Sequence, residues 1–81
     1  MYAHTYTVPQ MRQLEGVLGA FLDSGALSDR DAKMAVALKE HLGDSAERAE
    51  RGKRQGEIII HYSEEEEVFM DGVHEALWGQ G

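Results

Sequence analysis

The stretch EIIIHYSEEEE, residues 57–67, is the part of this chain that decides its fold. Three consecutive isoleucines ending in Tyr62 predict a strand, because β-branched and aromatic side chains pack well on a pleated surface. Ser63 then offers a hydroxyl group to the first turn of a helix, and Glu66 stands at the position that completes a capping box. We therefore expect a strand that leads directly into a helix.

A similar arrangement occurs near the other end of the chain. Residues 6–22 (YTVPQMRQLEGVLGAFL) and residues 62–78 (YSEEEEVFMDGVHEALW) both place a tyrosine, a hydroxyl residue and an apolar helical stripe in that order. The two segments agree in the order of their strand and helix patterns, which chance supplies less easily than a few identical residues. The sequence thus predicts a pseudo-repeat of two strand-helix units.

The remaining elements follow from similar local signals. Alternating side chains predict a first strand over residues 2–7. Pro9 suits the first turn of the helix that follows, and Gly25 is expected to end that helix in the left-handed conformation. A second helix is expected to begin at Ser28 and to end near Gly43. The expected fold is α+β in the order β-α-α-β-α, with a small two-stranded sheet covered by helices on one face.

Residues 44–56 (DSAERAERGKRQG) contain few side chains that a core would bury, and glycines bound and interrupt them. Charged segments of this kind bury too little apolar surface to offset the entropy that ordering removes. We expect a flexible charged linker between the second helix and the second strand. The whole chain, residues 1–81, is expected to form a single small domain.

Gly16 and Gly72 occupy equivalent positions inside the first and third predicted helices. Glycine in a helix interior costs about 1 kcal/mol relative to alanine. A close crossing of two helices would offset that cost. Phosphate-binding glycines precede a helix, so a phosphate site is not favoured. We expect the two glycines to meet where the first and third helices cross.

The composition excludes several classes of function. The chain has 81 residues, a net charge of -7 and no cysteine. Without thiols it has no disulfides, thiolate zinc sites or cysteine nucleophiles. The acidic balance disfavours direct nucleic-acid binding, because phosphate contacts need clustered lysine and arginine. The sequence lacks a run of about 18 apolar residues, so we expect no contact with a membrane and a cytoplasmic location.

Two charged segments are candidate binding sites. Half of the eight basic residues lie close together, as Arg48, Arg51, Lys53 and Arg54. A flexible basic arm suits an acidic protein surface or an RNA segment because it folds on contact, and a solvated linker is the alternative. The acidic segment comprises Glu64, Glu65, Glu66 and Glu67. These carboxylates favour the positive end of a helix, and the alternative is that they imitate the phosphates of a nucleic acid.

One set of ionisable residues is a candidate for chemistry. His61 ends the second strand, and His74 and Asp71 lie on the helix that this strand leads into. If they converge, they suit zinc binding or acid-base catalysis. The alternative is that each is an unrelated surface or half-buried residue. We find no cofactor motif, and the sequence does not favour an enzyme.

Two apolar side chains complete the candidate binding residues. Ile59 lies on the opposite face of its strand from Ile58 and Ile60 and has no expected partner within one chain. Trp78 stands at the end of the third helical stripe. A homodimer that extends the sheet or pairs its outer faces would cover Ile59, and two-fold dimers are the commonest oligomers.

These features do not name a function, but they favour one class. We expect a small acidic protein that acts by binding another macromolecule, as an adaptor, modulator or inhibitor of the bacterial or phage type, with a protein as its partner. One alternative is an acidic decoy that occupies the nucleic-acid site of a partner. Another is a small-molecule binder or hydrolase that uses His61, His74 and Asp71.

Overall fold

The fold of the chain is the predicted α+β arrangement, in the order β-α-α-β-α. The computed structural model describes residues 2–53 and 56–79. The elements are β1 (Tyr2–Tyr6), α1 (Val8–Ser24), α2 (Asp29–Arg51), β2 (Ile58–Tyr62) and α3 (Glu64–Trp78). In this described part of the chain, no helix combines the length and the apolar character that crossing a membrane requires.

The two strands form an antiparallel sheet, and every residue of one strand pairs with a residue of the other. Side chains alternate between the two faces of the sheet. Tyr6, Ile60 and Tyr62 are buried on the inner face, against the helices. Ile59 and His61 are exposed on the outer face. One face of the sheet therefore belongs to the core, whereas the other is open.

The core lies between the inner face of the sheet and the three helices. Each helix contributes residues spaced by three or four positions, so that it buries one apolar stripe. The largest fully buried side chains are Tyr62, Met11, Leu14, Leu18, Leu38, Leu42, Met70 and Val73. Burying a leucine-sized side chain contributes about 2 kcal/mol, so these stripes supply much of the stability of the fold.

The two strand-to-helix junctions are built alike. The Thr7 side chain accepts a hydrogen bond from the backbone N–H of Gln10, and the Gln10 side chain accepts one from the Thr7 N–H at 2.8 Å. Ser63 and Glu66 make the same two hydrogen bonds at the start of α3. The predicted capping box at Ser63 is thus confirmed. The pseudo-repeat as a whole stays a prediction.

The turn between α1 and α2 also follows its sequence signals. Gly25 ends α1 with a φ of 70°, the left-handed conformation that glycine adopts without a clash at Cβ. The Ser28 side chain caps α2 by accepting a hydrogen bond from the backbone N–H of Asp31 at 3.2 Å. The two helices are therefore joined as a hairpin.

α2 is longer than the sequence pattern predicts. It continues through Gly43 and ends at Arg51. Gly43 therefore does not end the helix, and the prediction of a flexible linker over residues 44–56 is wrong for residues 44–51. Residues 54 and 55 of that predicted linker lie outside the described residues.

Small side chains explain why the second half of α2 is ordered. Ser45, Ala46 and Ala49 are buried, and they continue the stripe that Leu38 and Leu42 begin. Their spacing is that of one helical face. Each of them buries little apolar surface, however, and charged residues dominate the amino-acid composition of the segment. Packing against the rest of the fold supplies the stability that composition does not indicate.

The expected contact between Gly16 and Gly72 is wrong. Both glycines are exposed, and a Cβ added at either would have no neighbouring atom within 4 Å. At Gly43, a Cβ would lie 2.6 Å from a carboxylate oxygen of Glu15, which is the far end of a flexible side chain. The surroundings of Gly16, Gly72 and Gly43 therefore do not identify a helix crossing that requires glycine.

Replacing Ala46 by aspartate tests the length of α2. Ala46→Asp is expected to lower the free energy of unfolding by about 3 kcal/mol, because the carboxylate would be buried without a partner. Ala37→Asp, at an exposed site of the same helix, is the control and is expected to cost less than about 1 kcal/mol. Urea unfolding measures both. Equal, small losses would contradict the packing of the second half of α2.

The open space at Gly16 leads to a second prediction. Gly16→Ala is expected to raise the free energy of unfolding by about 1 kcal/mol, because alanine favours the helix and meets no neighbour. Gly25→Ala is the control and is expected to destabilise by about 1 kcal/mol, because its backbone is left-handed. Thermal unfolding of the two variants measures both changes. A lower melting temperature for Gly16→Ala would show that this site is packed.

Candidate functional site

Aromatic and ionisable side chains meet between the inner face of the sheet and α3. We call this group the aromatic cluster, and its members are His4, Tyr6, Tyr62, Glu67, His74 and Trp78. Alternation along β1 places His4 and Tyr6 on the same face of the sheet. Spacings of seven and four residues place Glu67, His74 and Trp78 on one face of α3. The cluster therefore joins α3 to both strands.

Hydrogen bonds connect the members of the aromatic cluster. The Tyr6 hydroxyl lies 2.6 Å from Nε2 of His74 and 3.0 Å from the Tyr62 hydroxyl. Each of these groups can donate or accept a hydrogen bond, and the tautomer of His74 determines the direction of the bond between Tyr6 and His74. On the other side of the cluster, Nε2 of His4 donates to Oε1 of Glu67 at 2.6 Å.

The rings of the aromatic cluster also pack against one another. The His4 and Tyr6 rings are nearly parallel, with an interplanar angle of 6° and centroids 6.1 Å apart. The His74 ring lies 5.1 Å from that of His4 and 5.6 Å from that of Trp78, measured between centroids. These separations fall in the range of favourable ring contacts. The cluster thus forms a continuous layer that ends at the exposed Trp78.

Burial sets the protonation states of the aromatic cluster. Loss of solvent raises the pKa of Tyr6 and of Tyr62, so both hydroxyls stay protonated near neutral pH. Loss of solvent, together with the neighbouring His4, lowers the pKa of His74, while the negative charge of Glu67 acts in the opposite direction. The imidazole of His74 is therefore neutral at neutral pH.

The hydrogen bonds of the aromatic cluster are made within the chain. Among the described residues, no buried side-chain nitrogen or oxygen atom is without a hydrogen-bond partner. A network whose members are all satisfied rigidifies the elements that it joins. We therefore assign the cluster a structural role, namely holding α3 against the sheet.

The structure does not bring the predicted set His61, His74 and Asp71 together. His74 belongs to the aromatic cluster, on the inner side of the sheet. His61 is exposed on the outer face, because strand alternation turns it away from the neighbouring Tyr62. Asp71 is exposed on α3. The two imidazoles therefore lie on opposite sides of the sheet, and a zinc or acid-base site does not form between them.

A shallow groove of about 420 Å³ runs along β2 on the side that α2 faces. One wall consists of His41, Ser45, Arg48 and Ala49, which share one face of the second half of α2. The other wall is formed by residues 58–61 of β2. We call this the β2 groove. Within the α2 wall, the side chains of Ser45 and Ala49 are small.

The β2 groove borders a strand edge that has no neighbouring strand. The sheet of the described residues contains β1 and β2 alone, so β2 pairs along one edge only. At the other edge, alternate backbone N–H and C=O groups have no strand partner. Such an edge is able to pair with the backbone of another polypeptide.

Two of the four predicted basic residues, Arg48 and Arg51, lie in the last turn of α2 rather than on a flexible arm. Arg48 lines the β2 groove, is exposed and forms no salt bridge within the described residues. Arg51 pairs with Glu47 at 3.1 Å, one helical turn away. Lys53 is exposed just beyond the helix, and Arg54 lies outside the described residues. Arg48 is therefore the basic residue that the structure places at the groove.

The four glutamates at the start of α3 have different surroundings. Glu65 pairs with Arg30 of α2, and Glu66 completes the capping box. Glu67 belongs to the aromatic cluster, whereas Glu64 is exposed. Three of these predicted site residues are thus engaged within the chain, and the four carboxylates do not converge on one point.

The two predicted apolar site residues are exposed, but at different places. Ile59 is 59% exposed on the outer face of the sheet and lines the β2 groove. Trp78 is 41% exposed and stacks on His74 at the end of α3. Of the two, Ile59 therefore shares a surface with Arg48.

Sequence reasoning did not predict the aromatic cluster. A usable signal was present, because His4 alternates with Tyr6 in β1 while Glu67 and His74 share a helical face. These periods show which side chains point in the same direction. They do not show that α3 packs on the inner face of the sheet, and that packing is what creates the cluster.

The lowered pKa of His74 predicts how stability changes with pH. The unfolded chain binds the His74 proton more readily than the folded protein, so stability is expected to fall as the pH drops below about 6.5. His74→Gln should weaken this dependence, whereas His41→Gln, at an exposed site of α2, should leave it unchanged. The slope of unfolding free energy against pH is the readout. Equal slopes in all three proteins would contradict the prediction.

The described residues contain no group of three histidine, aspartate or glutamate side chains placed to hold a metal ion together. Comparison of the chain with protein-family models, with curated proteins and with solved structures finds no match in any of the three.

Proposed function

We propose that this protein acts by binding another protein, as an adaptor, modulator or inhibitor, and that it binds through the β2 side of its sheet. The observation that supports this proposal is the exposure of Ile59 beside an unpaired strand edge. Ile59 is 59% exposed, and its strand has no neighbour on the groove side within the described residues. Apolar surface at a free edge is a common site of protein association.

The small size of the sheet strengthens this argument. A sheet of two strands is marginally stable in water, and here the helices cover one face only. A partner that covered Ile59 and paired with β2 would bury apolar surface and satisfy backbone groups at the same time. Binding at this side would therefore cover exposed apolar surface of the sheet and give β2 a second neighbouring strand.

A homodimer is part of the same proposal, and the free edge of β1 is the surface that we propose for it. β1 (Tyr2–Tyr6) contains no lysine, glutamate or proline, the residues that usually protect an edge strand from pairing. Pairing of two β1 strands about a two-fold axis would produce a four-stranded sheet. The two β2 grooves would then remain free at its outer edges.

Exchanging Ile59 for aspartate tests the proposed binding surface. Immobilised wild-type protein is expected to retain a partner from a lysate of the cells that produce it, and Ile59→Asp is expected to retain about tenfold less of it, since a charge at the interface would be desolvated without a partner. Val68→Asp is the matched control, because Val68 is 68% exposed on α3, away from β2. Quantitative mass spectrometry measures the retained protein.

The outcomes of that comparison are distinct. Circular dichroism first establishes that both variants are folded, which their exposed positions favour. Equal retention by Ile59→Asp and wild type would contradict the proposed surface, as would an equal loss with Val68→Asp. Light scattering of the wild-type protein measures the dimer separately, and the mass of a single 9.0 kDa chain at all concentrations would contradict it.

A further inference from the structure

Within the described residues, the β2 groove combines a strand edge without a neighbouring strand, small side chains on its helix wall and an arginine without a salt bridge. From these three features we infer the kind of partner that it takes. We propose that an extended, acidic segment of the partner protein lies in the β2 groove and pairs with β2 as a third strand of the sheet. This inference rests on the proposed function and adds to it the conformation and the charge of the bound segment.

The backbone of β2 accounts for the extended conformation. β2 has five residues, so its free edge is about 17 Å long, and a neighbouring strand would lie about 4.8 Å away. Along this edge donors and acceptors alternate, which is the pattern that another extended backbone complements. In the described residues, no backbone hydrogen bond other than those to β1 involves β2.

The helix wall of the groove accounts for the space that such a strand needs. Ser45 and Ala49 lie one helical turn apart on α2 and face β2 across the groove. Their short side chains leave a volume of about 420 Å³ between helix and strand. A strand added to β2 would direct every second side chain toward these small side chains of the helix wall. Medium-sized apolar side chains at those positions would pack on Ala49 and on the neighbouring Ile58.

The charge of the groove accounts for an acidic segment. Although the chain has a net charge of -7, no described carboxylate lines the β2 groove. Arg48 lines it without a salt bridge among the described residues, and His41 and His61 stand at its two walls. A guanidinium group without a partner pairs well with a carboxylate. Electrostatic complementarity therefore favours aspartate or glutamate in the bound strand.

Two other occupants fit these features less well. Single-stranded RNA is recognised by stacking its bases on aromatic rings, and the described lining of the groove contains no phenylalanine, tyrosine or tryptophan. A second copy of β2 offers Arg48 no anionic partner, because Ile58–Tyr62 contains no aspartate or glutamate. An acidic peptide segment alone matches both the strand edge and the charge.

Selection from a library of displayed random decapeptides tests the proposal on the intact chain. The enriched peptides are expected to alternate aspartate or glutamate with β-branched residues and to lack proline at their centre. Arg48→Glu is expected to weaken their binding by about tenfold or more, measured by fluorescence anisotropy. Lys33→Glu is the matched control, because it also reverses a positive charge at an exposed site of α2, away from the lining of the groove, and should leave the affinity unchanged. Bound peptide should also slow amide hydrogen exchange in β2.

Several results would overturn the proposal. These are the recovery of no peptide, of peptides without acidic residues, or of peptides that bind Arg48→Glu as tightly as wild type. Stronger competition for the groove by a single-stranded RNA oligonucleotide, or by a second copy of the chain, would overturn it as well. If the peptides fail while Ile59→Asp still loses a captured partner, the bound segment is wrong and the proposed function stands. If both experiments fail, both proposals are wrong.

Discussion

The antiparallel pairing of β1 with β2 joins the first strand of the chain to a strand that follows the helical hairpin, and the other elements are arranged around it. A sheet of two strands does not bury its own apolar face, so helices must cover it. The hairpin of α1 and α2 lies between the strands in the chain, and α3 follows β2 onto the same side. Among the described residues, the same constraint leaves the outer face of the sheet and the free edge of β2 uncovered. One requirement thus shapes both the core and the surface that we propose for binding.

The two polar regions of the molecule differ in how far their hydrogen bonds are satisfied. In the aromatic cluster, hydrogen bonds join Tyr62 to Tyr6 and Tyr6 to His74, and burial lowers the pKa of His74. That network is complete and holds α3 in place. The β2 groove has the opposite character, since a strand edge lacks a neighbour and Arg48 lacks an anionic partner among the described residues. Incomplete pairing is the physical reason to propose binding there.

Two errors in the predicted fold concern residues whose side chains are small. Composition suggested that the segment after Gly43 is solvated, yet Ala46 and Ala49 are buried and the helix continues to Arg51. An alanine adds little to average hydropathy, but it permits close packing when it faces a neighbouring element. A glycine within a helix is equally ambiguous. Its free-energy cost relative to alanine does not show whether a neighbouring atom or open space lies beside it. No atom lies within 4 Å of a Cβ added at Gly16, whereas the carboxylate of Glu15 does so at Gly43.

Local pattern was sufficient for the strands, the helix starts and the order β-α-α-β-α. Alternation, helical spacing, the hydroxyl caps at Thr7 and Ser63 and the left-handed Gly25 depend on a few neighbouring residues, so they are visible in a linear sequence. Packing between elements determined that His74 meets Tyr6 rather than His61 and that α2 borders β2. A repeating pattern shows which side chains share a face, but the partner of that face depends on contacts between residues distant in the chain.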